Sequence, residues 1–563
     1  MTLERLIAYW SRGWRGPAAA AFIAFVAGLP GLLAVPPLDR DESRFAQATA
    51  QMLETGDYVV IQFQDQPRFK KPVGIHWLQA ATVNLVSSPE AREIWAYRLP
   101  SLLGAMLAAA ACAWGAAAFF GGPAGLAAGA LLGATFLLST EAFIAKTDAV
   151  LAGATTLALA ALGRLYAASR GGPPAGRRTE PLFWGALAVA ILVKGPVAPL
   201  IIALTMLTLW LWDRRVRWMA RLRWYWGLIA ILAVVGPWAG AVTVATDGGF
   251  WSEAIGADLA PKLAGGQESH GAPPGYHTLL TPLLAFPITL LLPAALVVAW
   301  KRRDEPGVRF ALAWLVPAWL LFELTPTKLP HYPLPTYGAL AWLAAAALAQ
   351  PIGAKARWSG AILAALVSAL LAGGVVYLLS LYGDASDGWA AALTAVLLVA
   401  AGLVGGYLSI KGAPRGGAAA ALVLAIAAHG ALAAALVPRL DPLWTSARVG
   451  RAMEKARLLP RQGVAEAPIA VAGYAEPSLV FALGTPTELY GPDQAAQAIA
   501  ENRPAIVEAH EEAAFREQLA ARGVTVREVA RVDGLNYSKG DDVTLRVYMP
   551  AAPGSGQTRE VRP

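Results

Sequence analysis

Long apolar segments separated by short charged loops constrain this sequence more than any other feature. A membrane-spanning helix needs roughly 20 apolar residues, or about 17 at the short end. About thirteen segments fit this description, although the fifth is short and meets the sixth at "VKGP". They lie near residues 17–36, 99–119, 123–140, 149–168, 181–194, 196–212, 224–243, 278–300, 308–325, 332–350, 358–381, 388–409 and 416–437. Only 15% of the residues are charged, against roughly a quarter in soluble domains. The sequence therefore predicts a polytopic α-helical membrane protein with about 13 transmembrane helices.

Positive charge alternates between the two sides of the predicted membrane domain. The N-terminal segment and every second short loop carry two to five Lys or Arg residues, whereas the intervening short connections carry one or none. Because Lys and Arg concentrate in cytoplasmic loops, we predict a cytoplasmic N-terminus, and an odd number of spans then puts the C-terminal region outside. The same asymmetry explains the net charge of +8 without a nucleic-acid partner.

The sequence divides into a membrane domain, residues 1–438, and a C-terminal region, residues 439–563, of ordinary soluble composition. In the second part, "APIAVAG", "RPAIVEA" and "DVTLRVYMP" predict strands, and "EEAAFREQLAARG" predicts a helix that ends at a glycine. Neither a Gly-rich phosphate loop nor a nucleophile motif occurs there. We predict a small C-terminal α/β domain, periplasmic and packed over the outer end of the membrane domain.

The first outer loop, residues 37–98, departs from the charge rule. It carries seven basic residues: Arg40, Arg44, Arg68, Lys70, Lys71, Arg92 and Arg98. Positive charge on the outer side favours an anionic ligand. Within the loop, "ESRFAQATAQMLETG" has helical periodicity and stops at Gly56, and "KPVGIHWLQAATVNLV" predicts a helix with an apolar face. Both helices are expected to lie in the membrane interface.

Seven short motifs follow one another between residue 39 and about residue 486. They are "DRDESRFAQATAQMLETGDYVV", "PRFKKPVGIHWLQA", "AKTDAVLA", "LVKGPVAPL", "GGQESHGAPPGYH", "TKLPHYPLP" and "YAEPSLVFALGT". In this order they resemble the GT-C polytopic glycosyltransferases that use polyprenyl-phosphate sugars, specifically the aminoarabinose-transferase-like (ArnT-like) branch related to protein O-mannosyltransferases. The resemblance implies a GT-C membrane domain and a polyprenyl-phosphate-linked sugar as donor.

Three acidic residues are catalytic candidates: Asp41, Glu42 and Asp148. By resemblance, Asp41 is the family's first-loop aspartate and Asp148 its second. A carboxylate can take the proton of an acceptor hydroxyl while the donor's phosphate leaves. If the acceptor is itself a phosphate, no base is needed, and Asp41 would orient groups or stabilise positive charge at the sugar carbon. The alternative is structural, because acids at a helix start satisfy free N–H groups.

Four basic residues are candidates for binding the donor's phosphate: Arg44, Lys71, Lys194 and Lys328. Cations would hold the phosphate while its negative charge grows on departure. Lys194 and Lys328 stand alone on the side where positive residues are otherwise rare, and Arg44 and Lys71 match family positions. The alternative for a single lysine near the interface is snorkelling or contact with lipid headgroups.

Loop histidines complete the predicted site. His331 and Tyr332 lie on an outer segment and are expected to contact the sugar or the acceptor. In the family, a loop histidine can pair with an acid just before the "KP" motif to bind a divalent ion. His270 would be that histidine, but Lys70 replaces the acid here, and Glu268 is the remaining acidic candidate. The sequence therefore assigns no cofactor and leaves a divalent metal open.

These features predict an inverting glycosyltransferase of the bacterial inner membrane with a periplasmic active site. It would move one hexose or pentose from a carrier such as undecaprenyl phosphate to lipid A, lipopolysaccharide core or a similar envelope acceptor. Two alternatives stay open: a protein O-glycosyltransferase of the same fold, and a transporter or flippase of polyprenyl-linked sugars. The paired, Gly/Pro-broken spans that inverted-repeat transporters show are not evident in the sequence. A non-catalytic sensor would leave the outer lysines unexplained.

Overall fold

The computed structural model describes residues 9–261, 271–460, 468–536 and 538–551. Within these ranges the chain is mainly helical, with a small sheet in its C-terminal part. The α-helices are α1 (Arg15–Ala34), α2 (Asp41–Thr55), α3 (Gly74–Val86), α4 (Ile94–Phe120), α5 (Gly122–Gly133), α6 (Phe136–Glu141), α7 (Asp148–Ser169), α8 (Thr179–Lys194), α9 (Val197–Asp213), α10 (Trp224–Ala245), α11 (Tyr276–Leu284), α12 (Leu292–Lys301), α13 (Pro306–Leu324), α14 (Tyr337–Leu348), α15 (Ala354–Tyr382), α16 (Gly388–Ile410), α17 (Pro414–Ala431), α18 (Thr445–Lys455), α19 (Pro477–Leu483), α20 (Pro492–Ala500) and α21 (Glu512–Ala521). The strands are β1 (Gln62–Phe63), β2 (Gln66–Pro67), β3 (Ala470–Ala472), β4 (Glu488–Tyr490), β5 (Ala505–Glu508), β6 (Val526–Asn536) and β7 (Asp541–Pro550).

Each of the predicted apolar segments coincides with helical structure. Among the described residues, eight helical segments are long and apolar enough to cross a membrane: Arg15–Ala34, Ile94–Phe120, Asp148–Ser169, Trp224–Ala245, Pro306–Leu324, Ala354–Tyr382, Ala385–Ile410 and Pro414–Arg439. A ninth candidate span is bent by 108° between Tyr276–Leu284 and Ile288–Lys301. Four of the predicted segments form shorter helices: α5, α8, α9 and α14. The predicted fold class, a polytopic helical membrane protein, is confirmed.

Helix α7 is the central helix of the membrane domain. In an apolar stretch of 18 residues of α7, 89% of the residues are buried, against 11% in the corresponding stretch of α10 at the periphery. Glycines let the backbones of α4 and α7 touch: a Cβ on Gly153 would lie 2.4 Å from the carbonyl oxygen of Gly104. Small residues allow such close approach in membranes, where burial of apolar surface does not drive helices together. This contact fixes the first residue of α7, Asp148, relative to α4.

A cluster of ion pairs fastens the opposite end of α7. The carboxylate of Asp213, at the end of α9, accepts hydrogen bonds from Arg170 beyond α7 and from Arg309 of α13. The hydroxyl of Tyr166 donates to the same carboxylate at 2.7 Å. Asp213 therefore ties three helices together at the end of the bundle remote from Asp148. We call the other end of the bundle the Asp148 end.

The first loop forms the two predicted helices, α2 and α3, joined by the β1–β2 hairpin. Gly56 ends α2 with a φ of 73°, which a residue with a Cβ rarely adopts,. Most of α2 between Glu42 and Met52 is buried, because α3 packs on one side and α19 of the C-terminal region on another. The structure thus adds a protein cover to a helix that was expected to lie in the membrane interface.

The C-terminal region contains a five-stranded mixed sheet with strand order β4-β3-β5-β7-β6. Strand β3 pairs in parallel with β4 and β5, whereas β7 runs antiparallel to β5 and β6. The predicted strands and helix correspond to β3, β5, β7 and α21, so the α/β character is confirmed. The domain boundary near residue 439 stays a prediction.

Thr485, between α19 and β4, joins this sheet domain to the first loop. Its hydroxyl donates to Glu54 at 2.6 Å and accepts from Gln47 at 2.7 Å and from Arg92 at 3.2 Å. Nearby, the ring of Phe481 packs edge-on against Tyr97 of α4, with centroids 5.4 Å apart. The first loop is thus held between the membrane helices and the C-terminal domain.

Candidate active site

A buried ion-pair cluster surrounds Asp148. Because α7 begins where the antiparallel α8 ends, the first residue of one helix meets the last residue of the other. Lys194 Nζ donates to Asp148 Oδ1 at 2.5 Å, and Lys146 Nζ lies 3.6 Å from Asp148 Oδ2. Two of the predicted site residues, Asp148 and Lys194, are therefore in direct contact.

The loop between α6 and α7, residues 142–147, brings Lys146 into the cluster. Ser101 of α4 donates to the carbonyl of Ile144 at 2.6 Å, which fixes the loop. Lys146 Nζ lies 3.1 Å from Glu141 Oε1. Burial would lower the pKa of Lys146, but the carboxylates of Glu141, Asp148 and Asp41 outweigh it and raise that pKa above its ordinary value. These carboxylates therefore favour the charged form of Lys146.

His331 and Tyr332 reach the same cluster from the segment before α14. His331 Nδ1 lies 3.4 Å from Lys146 Nζ, and His331 Nε2 lies 3.6 Å from Asp148 Oδ2. Burial lowers the pKa of His331 to about 3, with Asp148 opposing and the two lysines adding to the effect, so the ring is neutral at neutral pH. The ammonium of Lys194 lies 5.5 Å from the centre of the Tyr332 ring.

Asp41 lies near this cluster and has a different environment. It is the first residue of α2 and is exposed, and its charge acts on Lys146. Among the residues that the structure describes, none hydrogen-bonds to its carboxylate or pairs with it. Arg44 lies one turn further along α2, on the same face, since residues three apart are neighbours on a helix. The structure thus places Asp41, which no described residue binds, near Asp148, which is bound by Lys194.

Glu42, the third predicted catalytic acid, has a structural environment instead. Its carboxylate is fully buried and accepts from Arg98 Nε at 2.8 Å and Nη2 at 2.7 Å. It also accepts from the backbone N–H groups of Leu38 and Ala145. All its strong acceptor positions are occupied, so Glu42 joins α2, α4 and the 142–147 loop. The catalytic prediction for Glu42 does not fit this environment.

The remaining phosphate candidates are divided between two places. Lys71 pairs with Asp258 at 3.0 Å. Its segment approaches α8 closely, since a Cβ on Gly74 would lie 2.6 Å from the carbonyl oxygen of Leu192. Lys328 is 3% exposed and donates to the backbone carbonyls of Ala272 at 2.8 Å and Thr325 at 2.6 Å. Those carbonyls use two of the three N–H donors of the ammonium, and the phosphate-binding role of Lys328 stays a prediction.

The predicted metal site lies largely outside the described residues. Glu268 and His270 both fall within 262–270. Elsewhere, across residues 9–261, 271–460, 468–536 and 538–551, no group of three or more His, Cys, Asp or Glu residues is arranged to hold a metal ion. The divalent metal stays an open prediction.

Sequence reasoning missed one member of the cluster. Glu141 is 4% exposed and stands in the otherwise apolar stretch "FLLSTEAF". An ionisable residue at such a position is costly and pairs with another charge or faces a cavity. That rule could have singled it out. Its partner Lys146 could not be identified, because their contact depends on the turn between α6 and α7.

Comparisons with known proteins agree with this fold. Residues 70–240 match the family model described as dolichyl-phosphate-mannose-protein mannosyltransferase. An undecaprenyl phosphate-alpha-4-amino-4-deoxy-L-arabinose arabinosyl transferase of Pseudomonas paraeruginosa is 32% identical over 317 residues, 55% of each chain. A protein of the same name from Edwardsiella ictaluri is 28% identical over 339 residues, 59% of each chain. The matches thus span little more than half the length of these relatives.

Two solved structures are similar to this protein over nearly the whole chain. ArnT from Cupriavidus metallidurans bound to undecaprenyl phosphate superposes with a TM-score of 0.72 at 21% identity, over 94% of this chain and 96% of that one. Its apo form gives 0.71 at 22% identity, with the same coverage. The protein is thus a multi-pass membrane protein with the GT-C fold. Within that class, the resemblance to the ArnT-like branch is confirmed.

Proposed function

We propose that this protein transfers one sugar from a polyprenyl phosphate to an envelope acceptor, lipid A or lipopolysaccharide core, with inversion at the anomeric carbon. The observation that carries this proposal is the arrangement at the Asp148 end. Asp148 is bound by Lys194 and lies close to Lys146, and near them lies Asp41, which has no partner among the described residues. The names of the arabinosyl transferase relatives support the donor class. The charge asymmetry of the loops supports an inner-membrane protein with a cytoplasmic N-terminus and a periplasmic site.

The reaction breaks the bond between the sugar's anomeric carbon and the phosphate oxygen and forms one to the acceptor oxygen. The phosphate leaves with the bonding electrons, and the cations Lys194, Arg44 and Lys71 stabilise its growing charge. Asp41 accepts the proton when the acceptor is a hydroxyl, and it orients the acceptor when that group is an ionised phosphate. Asp148, bound by Lys194 and close to Lys146, is too strongly stabilised as an anion to serve as the base, so its role is to fix the position of Lys194.

The test is mass spectrometry of lipid A, core oligosaccharide and polyprenyl phosphates from cells with the gene, without it, and with Asp41→Asn. We expect one lipopolysaccharide species to lose a single sugar in both the deletion and the variant. Asp65→Asn is the matched control, because Asp65 is exposed in the same loop and has no role in the proposal. Loss of the sugar in the deletion but not in Asp41→Asn would make Asp41 dispensable.

A protein acceptor is the second candidate, favoured by the match of residues 70–240 to the protein mannosyltransferase model. It predicts unchanged lipopolysaccharide and the loss of a glycan from periplasmic glycopeptides. A flippase instead predicts that the polyprenyl-linked sugar accumulates on one side of the membrane while purified protein transfers nothing.

A further inference from the structure

The backbone at Arg40, immediately before Asp41, is held in a conformation that its side chain disfavours. Arg40 has a φ of 56° and a ψ of −101°. A Cβ makes positive φ unfavourable, and such residues persist where the surrounding structure over-determines them. The strained residue directly precedes Asp41. Neighbouring contacts must therefore keep the backbone in this conformation.

The membrane domain fixes the chain on both sides of this turn. On the N-terminal side, Arg98 Nη1 donates to the carbonyl of Val35 at 2.6 Å and Nη2 to that of Pro36 at 3.0 Å. On the C-terminal side, the Leu38 N–H donates to Glu42 at 2.8 Å. Because Arg98 also binds Glu42, a single buried guanidinium anchors both ends of the turn.

The C-terminal domain forms hydrogen bonds with the turn from the other side. Arg40 Nη2 donates to the carbonyl of Ser538, between β6 and β7, at 2.8 Å. The N–H of Ser478, in the first turn of α19, donates to Asp39 Oδ1 at 3.3 Å, and the same oxygen accepts from the Arg40 N–H at 3.0 Å. Two separate parts of the domain therefore bind two consecutive residues of the loop.

From this geometry we propose that Arg40 is a positioning residue: its bond to the Ser538 carbonyl lets the C-terminal domain hold the strained turn that presents the Asp41 carboxylate, which no described residue binds. The inference rests on the proposed function. It assigns the C-terminal domain a part in the chemistry without any contact between that domain and the reacting groups. It also explains why Asp41 has no partner among the described residues although its loop carries seven basic residues.

The test compares three variants of the full-length purified protein: Arg40→Gly, Arg40→Lys and Arg214→Gly. Glycine adopts a φ of 56° without strain but loses the bond to Ser538, whereas lysine can still donate to that carbonyl. Arg214 is the matched control: it is exposed, has a φ of 53°, and lies at the remote end of the bundle, at the end of α9. Arg214 shares the positive φ but has a ψ of 24°, in the left-handed helical region, so Arg214→Gly controls for a new glycine and a lost charge at a positive-φ position.

We expect Arg40→Gly to lower kcat about 100-fold, the scale of a small misplacement of a reacting group. KM for the donor, and the Kd for polyprenyl phosphate alone, should stay within about twofold, because only positioning is lost. The thermal midpoint should not fall, since glycine removes strain. Arg40→Lys should recover most of kcat, and Arg214→Gly should leave kcat unchanged.

Three results would overturn the inference. An unchanged kcat in Arg40→Gly would mean that the turn needs no clamp. A raised KM and Kd with unchanged kcat would make Arg40 a phosphate ligand instead. If the wild-type protein transfers no sugar, the proposed function fails. Hydrogen exchange at residues 39–43 then tests separately whether the contact between Arg40 and Ser538 holds the turn. Faster exchange there in Arg40→Gly but not in Arg214→Gly supports the clamp, and equal exchange refutes it.

Discussion

At the scale of single residues, the two aspartates of the site differ in what surrounds them. Asp148 is nearly buried, accepts from Lys194 and lies close to Lys146, whereas Asp41 is exposed and unpaired among the described residues. Two carboxylates with separate environments take separate roles. The difference predicts different responses to removal of the charge: at Asp148 both stability and activity fall, and at Asp41 only activity falls.

Asp148→Asn should reduce both stability and transfer. It leaves two lysines near each other without their shared carboxylate, and breaking a buried pair costs about 3–5 kcal/mol. Adding Lys194→Gln should restore part of that loss, since the two residues act as a unit. Chemical unfolding in detergent measures the stability, with Asp65→Asn as control. Additive losses in the double variant would contradict the proposed coupling.

Asp39 gives the contact between loop and C-terminal domain a pH dependence. Burial, with the charge of Glu476 adding to it, raises the pKa of Asp39 from 3.8 to about 6. The folded protein then holds this proton more tightly than the unfolded chain does. The resulting stability is fully present below about pH 4 and is lost as the pH rises through about 6, by at most about 3 kcal/mol.

Asp39→Asn should therefore flatten the fall in thermal midpoint between pH 4 and pH 7. The other charged groups beside this carboxyl, Glu476 and Arg40, are retained in the variant. Asp65→Asn, which changes an exposed carboxyl of the same loop, should keep the wild-type pH profile. A fall of equal size in wild type and Asp39→Asn would assign the pH dependence to another group.

At the scale of elements, the close contact between α4 and α7 sets where Asp148 stands. Gly153→Ala should destabilise the protein by about 1–3 kcal/mol through overpacking, because its methyl group would meet the Gly104 carbonyl. It should also lower transfer by shifting the start of α7. Gly240→Ala in α10 is the matched control, since a Cβ there meets no atom within 4 Å. Equal thermal midpoints for the two variants would show that the contact tolerates a methyl group.

The sequence predicted the helices well because hydropathy alone marks apolar segments. It did not predict the 108° bend within the apolar run 278–300, because hydropathy carries no information on direction. Strands β4 and β6 escaped prediction, since β4 has three residues and β6 shows no regular alternation of buried and exposed positions.

The site was predictable to the extent that its residues follow family motifs. Asp41, Asp148, Lys194 and His331 do converge at the Asp148 end. The contacts of Glu42 and Lys328 could not be predicted, because their partners are set by tertiary structure. Glu42 binds Arg98, 56 residues away, and Lys328 binds backbone carbonyls, which sequence patterns do not mark.

At the scale of the whole molecule, the C-terminal domain and the first loop form one unit around Thr485. Thr485→Val keeps the side-chain shape but removes the hydroxyl. Glu54, Arg92 and Gln47 would each lose one hydrogen bond. Hydrogen bonds to charged groups contribute about 1.5–3 kcal/mol each, so the docking of the domain should weaken. Hydrogen exchange in α2 and α19 should become faster than in wild type.

Thr525→Val, at an exposed position of the same domain, is the control for that experiment and should leave exchange unchanged. If both threonine variants behave like wild type, docking does not depend on the Thr485 hydroxyl. The contacts of Arg40 and Asp39 would then have to carry it.

The strand order of the C-terminal sheet has a consequence for biosynthesis. Strand β7 lies between β5 and β6 although it follows both in the chain, so the sheet cannot close before β7 is made. Asp41 leaves the ribosome about 500 residues earlier, which at about 5–20 residues per second is roughly 25–100 s. A nascent chain can therefore complete its membrane helices while the turn at Arg40 still lacks Ser538. Chains truncated before β7 would be inserted in the membrane without the complete C-terminal sheet that carries Ser538.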